Sequence, residues 1–585
     1  MIFHDFQSFL RHLEEQGELK RVKAQVDPEY EITEIYHRVI SDEGPAMLFE
    51  NVKGSLFPMA LNFFGSMRRV EIALGRHPEE IGANWSALAE ALQPPTLSAF
   101  FSQKKRLWGL RHMRLVRGRQ RPCQELIEKP DLRTLPALKV WPKDGGRFIT
   151  FPLVFTHDPK NGGRNVGLYR MHIHNPTQTG MHWQIEKGGG FHYHAAEKAN
   201  QSLPVAVALG ADPALMLAAA CPLPEGVDEW IFSGLLRQSP GQTAPATQVP
   251  VQVPAHAEFV LEGYIPAGIR HPEGPFGDHF GHYSLQRPFP VFEIKTMTRK
   301  RNPVYPAAVV GKPPQEDKYM GDAIQMMFHP IVRLMHPEIR DLWAYFEAGF
   351  HNLLVVSVEQ RYAKEAMKTA LSLMGEGQLS LTKFIVLVDP GVDVRSWPEV
   401  LRAVAAHFDP AEDFLLLPGV PLDTLDFTSF TPDLGSKMVM DATSGGKAPS
   451  TEVPKPDLDP TRLVPGIQAW KLLEQSLLVV QVKGEGRPVV EKLVAAPGLR
   501  GLRWVVAVSP DVDLDDQTST LWGIFTRFDC ARDVVFAANE FRGAWPVWRG
   551  CMGIDATWKK GYPEPVEMLP EIAGRVEKRW AEYQL

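Results

Sequence analysis

The chain has 585 residues, 44% hydrophobic and 23% charged, the composition of an ordinary globular protein of several domains, which excludes disordered and fibrous classes. Its 63 basic and 69 acidic residues leave a formal charge of -6, so no nucleic-acid partner is expected. Cys123, Cys221, Cys530 and Cys551 are too scattered for a disulfide framework or zinc cluster; no basic-then-apolar leader follows Met1, and no apolar run approaches the ~20 residues of a membrane span, so a soluble cytoplasmic protein is expected.

Asp5 is placed to cap a helix with Phe6, Phe9, Leu10 and Leu13 on one face, ended by Gly17. A second amphipathic helix carries Ile32, Ile35, Val39 and Ile40. Strands over Ala46 to Phe49 and Met59 to Phe64 flank a Lys53-Gly54 turn, so residues 1–110 read as a small α/β domain. Residues 111–315 change to short strands punctuated by Gly, Pro and Asn, among them Phe148 to Phe155, Pro204 to Ala208, Ala257 to Leu261 and Val291 to Met297. That pattern predicts a β-rich central domain of the barrel type.

The remainder is α/β and repeats itself. Leu353 to Val356 matches Leu477 to Val480, Phe384 to Asp393 matches Trp504 to Asp513, His407 to Asp413 matches Arg527 to Asp533, and Met440-Asp-Ala-Thr443 matches Ile554-Asp-Ala-Thr557. Shared order at an offset of about 120 residues predicts two copies of one unit, 330–443 and 466–560, joined by a Pro/Gly/Ser/Lys linker, 444–465. The last segment, 561–585, reads as a helix whose stripe of Val566, Leu569, Ile572, Val576 and Trp580 packs on its own domain or on another subunit.

The chemistry is expected between Asn165 and Asp278. Pro272-Glu-Gly-Pro-Phe-Gly-Asp278 sets two carboxylates five residues apart in a loop stiffened by proline and turned by Gly274 and Gly277. Near Arg170 such a pair is expected to titrate apart, one acid protonated while the other stays ionised. Eight histidines (His172, His174, His182, His192, His194, His271, His279 and His282) crowd the region without an HExxH or comparable metal spacing, and line a polar pocket more naturally than they hold a metal. Asn165, Glu186 and Glu229 are better candidates for a hard oxygen-ligand site for manganese or magnesium, open to a phosphate. Lys187 with Gly188-Gly-Gly190 could let backbone approach that phosphate; Rossmann and Walker A fingerprints are absent.

Taken in order, Asn165 to Arg170, Met181-His-Trp-Gln184, Lys187-Gly-Gly189, Val207 to Pro213, Glu262-Gly263, Glu273 to Asp278 and Gly435-Ser-Lys-Met438 resemble the UbiD family of decarboxylases, from the first helix to about Thr443. The resemblance implies an α/β protein with a central split-barrel flavin-binding domain, and an enzyme using prenylated FMN to remove carbon dioxide from an aromatic or α,β-unsaturated acid. It implies Arg170, Glu273 and Asp278 as catalytic residues: Asp278 delivers the proton, Arg170 orients the carboxylate, and Glu273 holds Arg170. Leu168, Tyr169, Arg170, His182, Trp183, Gln184, Lys187, Gly188 and Lys437 fall on cofactor-binding positions, with Asn165 and Glu229 shared between cofactor and metal. Where the family usually has a histidine metal ligand this chain aligns Glu186, leaving His182 and His192 as alternatives. Manganese, with magnesium as the substitute, and potassium are the implied ions; a flavin prenyltransferase is the implied supplier, and a homo-oligomer, dimer or higher, the implied assembly. Cys551 stands where the first copy has Lys437, so the second copy is expected to be structural.

A prenylated hydroxybenzoate- or hydroxynaphthoate-type quinone precursor is the favoured substrate, and a small aromatic acid such as a hydroxybenzoate or furoate the alternative. Two further readings stay open: a metal-dependent hydrolase built on the histidines, and a non-catalytic flavin-binding scaffold.

Overall fold

The computed structural model describes residues 2–93, 96–183, 187–450, 459–499 and 501–585. They divide into two compact units, Met1–Met327 with Pro565–Leu585, and Phe328–Glu564.

In the first unit, Asp5 caps helix Phe6–Glu15 by accepting from the Ser8 amide at 2.7 Å, and the four predicted apolar residues are buried. Helix Glu31–Ser41 buries Ile32, Ile35, Val39 and Ile40. A four-stranded sheet follows the order Leu19–Val22, Ala46–Phe49, Met59–Leu61, Tyr305–Pro306. The third strand stops at Leu61, short of the predicted Phe64, because Asn62 turns into the left-handed region at φ 60.

The central sheet has ten strands, paired antiparallel, and it curls around strand Arg287–Arg299. That strand is 13 residues long and bonds to Gln178–Gly180, Phe259–Ile265, Arg270–Glu273 and Leu126–Glu128 along its length. Its shift of register at Glu262/Gly263 supplies the bend. Leu203–Leu209, Pro152–His157 and Arg164–Leu168 complete one flank. The sheet thereby brings Arg170, just past the end of Arg164–Leu168, toward Glu273, the last residue of Arg270–Glu273.

The C-terminal helix runs from Pro570 to Tyr583 and packs on Glu31–Ser41 of the same chain. Arg579 pairs with Glu31, Tyr583 donates to Glu31 at 2.8 Å, Arg38 pairs with Glu577, and Arg38 lies 5.5 Å over the Trp580 ring. It begins nine residues later than predicted: Pro570 occupies its first turn, a position where a missing N–H costs nothing. Val566, read as helical from its spacing, lies in the extended approach, where its amide donates to Gly281 O at 2.9 Å.

The second unit holds two five-stranded sheets of identical connectivity. One orders Ile339–Ala344, Leu354–Val358, Phe384–Val388, Leu434–Asp441, Phe414–Pro421; the other orders Ile467–Leu473, Leu477–Val482, Trp504–Val508, Trp545–Ala556, Val534–Arg542. Register agrees as well: Leu354 faces Ile385 as Leu478 faces Val505, and Phe384 faces Met438 as Trp504 faces Met552. Asp409 and Asp529 cap matching short helices, and Asp441 and Asp555 each accept from the Thr two residues on. Phe384, Trp397, Trp504 and Phe525 pack ring against ring between the sheets, and Lys383, fully buried, pairs with Asp426 at 2.7 Å while donating to Phe525 O.

Candidate active site

Arg170 is enclosed by acids. Its Nε and Nη2 donate to Glu273 Oε1 and Oε2 at 2.9 and 3.1 Å, Nη1 donates to Asp278 Oδ2, and Nη2 also reaches Ser284 Oγ at 2.9 Å. Beneath it lies the Phe276 ring, 4.9 Å from the guanidinium carbon. The Arg170 side chain is 8% exposed and that of Glu273 is 0% exposed, so the fork is held in a low-dielectric environment where charge-assisted bonds are strong.

The expectation that the two acids titrate apart is not met. Burial alone would raise Glu273, but Arg170 and His182, whose Nδ1 lies 3.1 Å from Oε2, hold it well below the usual carboxylate range. Burial likewise opposes ionisation of Asp278, and Arg170 with His279, 2.9 Å from Oδ1, pulls it low too. The reason is placement: one guanidinium sits between the two carboxylates and serves both, so its attraction outweighs their mutual repulsion.

The acid loop is held from below by Asp144. One carboxylate oxygen accepts from the Val140 and Trp141 amides at 3.0 and 2.8 Å, the other from the Gly277 amide at 2.8 Å. Burial pushes Asp144 up to about 7, against those three bonds. The two glycines after it permit the approach: a Cβ on Gly145 would lie 2.3 Å from Gly274 O, and one on Gly146 would lie 2.7 Å from His172 Nε2. Asp144 and Ser284 were missed from sequence; Asp144-Gly-Gly146 was the available sign, a helix-poor acidic turn able to press against another backbone.

A second cluster gathers at the start of helix Gly188–Lys198. Asn165 Nδ2 donates to the Tyr169 hydroxyl at 3.3 Å, the Gly189 amide donates to the same oxygen at 3.2 Å, and the Val166 amide donates to Glu229 Oε2 at 2.9 Å. Burial pushes Glu229 up to about 7, its own backbone contacts and Lys187 resisting. A Cβ on Gly188 would lie 2.0 Å from Asn165 Oδ1, and one on Gly189 would lie 2.7 Å from Trp183 Nε1. Trp183 Nε1 and His182 Nε2 are buried with no hydrogen-bond partner among the described residues, and Leu168 is half-buried at the end of its strand. Glycine amides at a helix N-terminus and a lysine suit a phosphate, and an amide oxygen and a carboxylate beside them suit a hard cation bridging to it. The residues fit such a group.

Gln184 and Glu186 lie outside the described residues. Of the alternatives to Glu186, His182 is turned to Glu273 and His192 Nδ1 pairs with Thr156 Oγ1 at 2.8 Å. Lys437, expected among the cofactor contacts, belongs to the second unit, where its Nζ donates to Ser380 O. His172, His174 and His271 meet in tilted and edge-on ring contacts, and no group of three or more His, Cys, Asp or Glu among the described residues is arranged to hold a metal.

Family models for the 3-octaprenyl-4-hydroxybenzoate carboxy-lyase match over residues 10–89 (N-terminal domain), 114–313 (Rift-related domain) and 318–442 with 460–556 (C-terminal domain). The chain is 36% identical over 584 residues to a subunit of 4-hydroxybenzoate decarboxylase from Chlamydia pneumoniae, covering 98% of each. Among solved structures it is similar to the vanillic acid decarboxylase of Sedimentibacter hydroxybenzoicus in closed form, with a TM-score of 0.68 and 26% identity over 78% of this chain and 95% of that one. It is also similar to an evolved dimeric form of the UbiD-class enzyme HmfF from Pelotomaculum thermopropionicum in complex with prFMN, with a TM-score of 0.62 and 27% identity over 75% and 95%.

The fold and the family matches are those of a carboxy-lyase, an enzyme that removes carbon dioxide from a carboxylic acid. The chain belongs to the UbiD family of decarboxylases, and the match runs past Thr443, where the sequence resemblance ended, to residue 556.

Proposed function

We propose that the protein is a non-oxidative, prenylated-FMN-dependent decarboxylase of an aromatic acid of the hydroxybenzoate type, favouring a prenylated hydroxybenzoate or hydroxynaphthoate quinone precursor. The observation that carries the reaction class is the buried fork of Arg170 between Glu273 and Asp278. A guanidinium already matched to carboxylate geometry can take a substrate carboxylate in exchange for one of its own acids.

Lys187, Gly188 and the amides of the following helix would hold the cofactor phosphate, with Asn165 and Glu229 ligating manganese or magnesium beside it, and potassium as a second ion. Leu168, Tyr169, Arg170, His182 and Trp183 would face the flavin, His182 and Trp183 offering buried ring nitrogens that lack partners among the described residues. When bound, prenylated FMN supplies the electron sink that makes loss of carbon dioxide accessible. Arg170 orients the substrate carboxylate. Asp278, released from Arg170 as that carboxylate arrives, loses the larger of the two attractions that hold its pKa low, and can take up a proton from solvent and pass it to the substrate carbon. Glu273 keeps Arg170 in place throughout.

A second substrate reading, a small unprenylated hydroxybenzoate, is favoured by the relatives that act on 4-hydroxybenzoate and vanillic acid. We also infer a cytoplasmic homo-oligomer supplied with its cofactor by a flavin prenyltransferase, and a duplication as the origin of the two matched C-terminal sheets. The test is co-expression with a flavin prenyltransferase, followed by the visible spectrum and carbon dioxide release from prenylated and unprenylated hydroxybenzoates. Release only with flavin-loaded protein supports the proposal. Activity in colourless, chelator-sensitive protein would instead indicate a hydrolase, and flavin binding without turnover of any aromatic acid a scaffold.

A further inference from the structure

The overall charge of -6 conceals one strongly basic segment. From Leu97 to Gln124 the chain has eight Lys and Arg residues (Lys104, Lys105, Arg106, Arg111, Arg114, Arg117, Arg119 and Arg121) and no Asp or Glu. The first seven are exposed. Two of them make local contacts: Arg106 donates to Gln103 Oε1 at 2.7 Å, and Arg111 to Trp108 O at 3.3 Å while lying 4.5 Å over the Trp108 ring.

Apolar side chains are exposed on the same segment. Phe101 is 75% and Trp108 66% exposed, with Phe100, Leu110 and Val116 also open to solvent. Helix Lys104–Gly109 and the single turn Leu110–His112 bury no residue. The segment is nevertheless mounted firmly at one end, since strand Leu115–Arg117 pairs in parallel with Gly241–Pro245, and the Gly241 amide donates to Arg114 O at 3.2 Å.

A short helical segment that shows large aromatic and aliphatic side chains among closely spaced cations matches one environment best: the interface of a bilayer, where rings enter the headgroup boundary and cations meet anionic lipid. Cations alone would suit a polyanion such as nucleic acid, but the exposed Phe101 and Trp108 would gain little against phosphates. A second copy of this chain would bring like charges together. No helix among the described residues is long and apolar enough to cross a membrane, so the contact is peripheral. We propose that residues 100–121 are a docking surface for an anionic lipid membrane.

The test uses the full chain, without substrate, so its result is independent of the decarboxylase reading. Co-flotation is measured with vesicles of phosphatidylcholine alone and of phosphatidylcholine mixed with phosphatidylglycerol, at low and high salt. The wild type is expected on the anionic vesicles and not on the neutral ones, weakening with salt as screening grows. Lys104→Gln/Lys105→Gln/Arg106→Gln should lower partition by about 100-fold, at roughly fivefold per cation. Phe101→Ser/Trp108→Ser should abolish the part that survives high salt. Thermal unfolding checks each variant, and the two test independent halves of the surface, so either decides if the other fails to fold. The proposal is overturned if anionic vesicles bind no better than neutral ones, or if both folded variants bind like wild type. It is equally overturned if light scattering shows that Phe101→Ser/Trp108→Ser dissociates an oligomer, or if duplex DNA displaces the vesicles and binds both proteins alike.

Discussion

Arg170 and Glu273 meet through two parallel hydrogen bonds, Nε to Oε1 and Nη2 to Oε2, at 2.9 and 3.1 Å, with the carboxylate wholly buried. Such a pair is most costly when half of it is removed. Glu273→Gln leaves Arg170 facing Asp278 with one neutral oxygen in place of a carboxylate, and breaking a buried ion pair costs about 3–5 kcal/mol. The expected result is a lowered denaturation midpoint at unchanged m-value, together with loss of carbon dioxide release. Arg170→Met, which removes the cation instead, should leave two buried acids repelling one another and raise both their pKa values, read by carboxylate infrared bands across pH.

The low pKa of both acids makes a statement about pH. A carboxylate depressed in the folded state contributes stability that is present above its unfolded value, near 4, and lost as pH falls below it. Wild-type stability should therefore fall steeply below about pH 4, and Glu273→Gln/Asp278→Asn should show a shallower acid limb in urea titrations.

Asp278→Asn separates chemistry from binding. The amide keeps the size and one acceptor of the acid but cannot deliver a proton, and general acid catalysis contributes roughly 10²–10⁴-fold. Turnover should fall by that factor with the visible spectrum of the flavin-loaded protein and the Michaelis constant little changed; full turnover in this variant would remove Asp278 from the proton path.

Gly188→Ala tests the phosphate cradle. The added methyl would lie 2.0 Å from Asn165 Oδ1, so the Asn165 side chain has to turn away and its amide oxygen leaves the cation position. Flavin content after co-expression should drop sharply while the thermal midpoint shifts little, whereas Gly574→Ala, at a site with no atom within 4 Å, should leave flavin content unchanged.

What could be read in advance followed the range of the forces involved. Helix Phe6–Glu15 was legible because its cap, its apolar stripe and its glycine stop all lie within thirteen residues of one another. The matched sheets of the second unit were legible because repetition needs no knowledge of contacts. Arg170, Glu273 and Asp278 were legible as a set, but not their shared low pKa, which depends on a guanidinium more than 100 residues away in sequence standing between both acids. Asp144 and Ser284 were hidden for the same reason: an aspartate that closes a loop 133 residues distant leaves no periodic mark. The start of the last helix was misread because Val566 continues its spacing by coincidence, while its burial comes from the acid loop.

That burial leads to the last prediction. A Cβ on Gly277 would lie 2.7 Å from Val566 Cγ1, the Val566 amide bonds to Gly281 O, and Pro565 bridges His282, so the chain re-entering the first unit at Pro565 braces the turn that carries Asp278. Val566→Ala removes two methyl groups at 2% exposure and should cost about 1–3 kcal/mol. Ile572→Ala, on the helix beyond, should cost a similar amount without touching the loop. If the brace positions Asp278, the two variants will match in denaturation midpoint, but only Val566→Ala will lose turnover at saturating substrate, with the Michaelis constant unaltered. Equal turnover in both would mean that the returning chain stabilises the fold without setting the geometry of the acid.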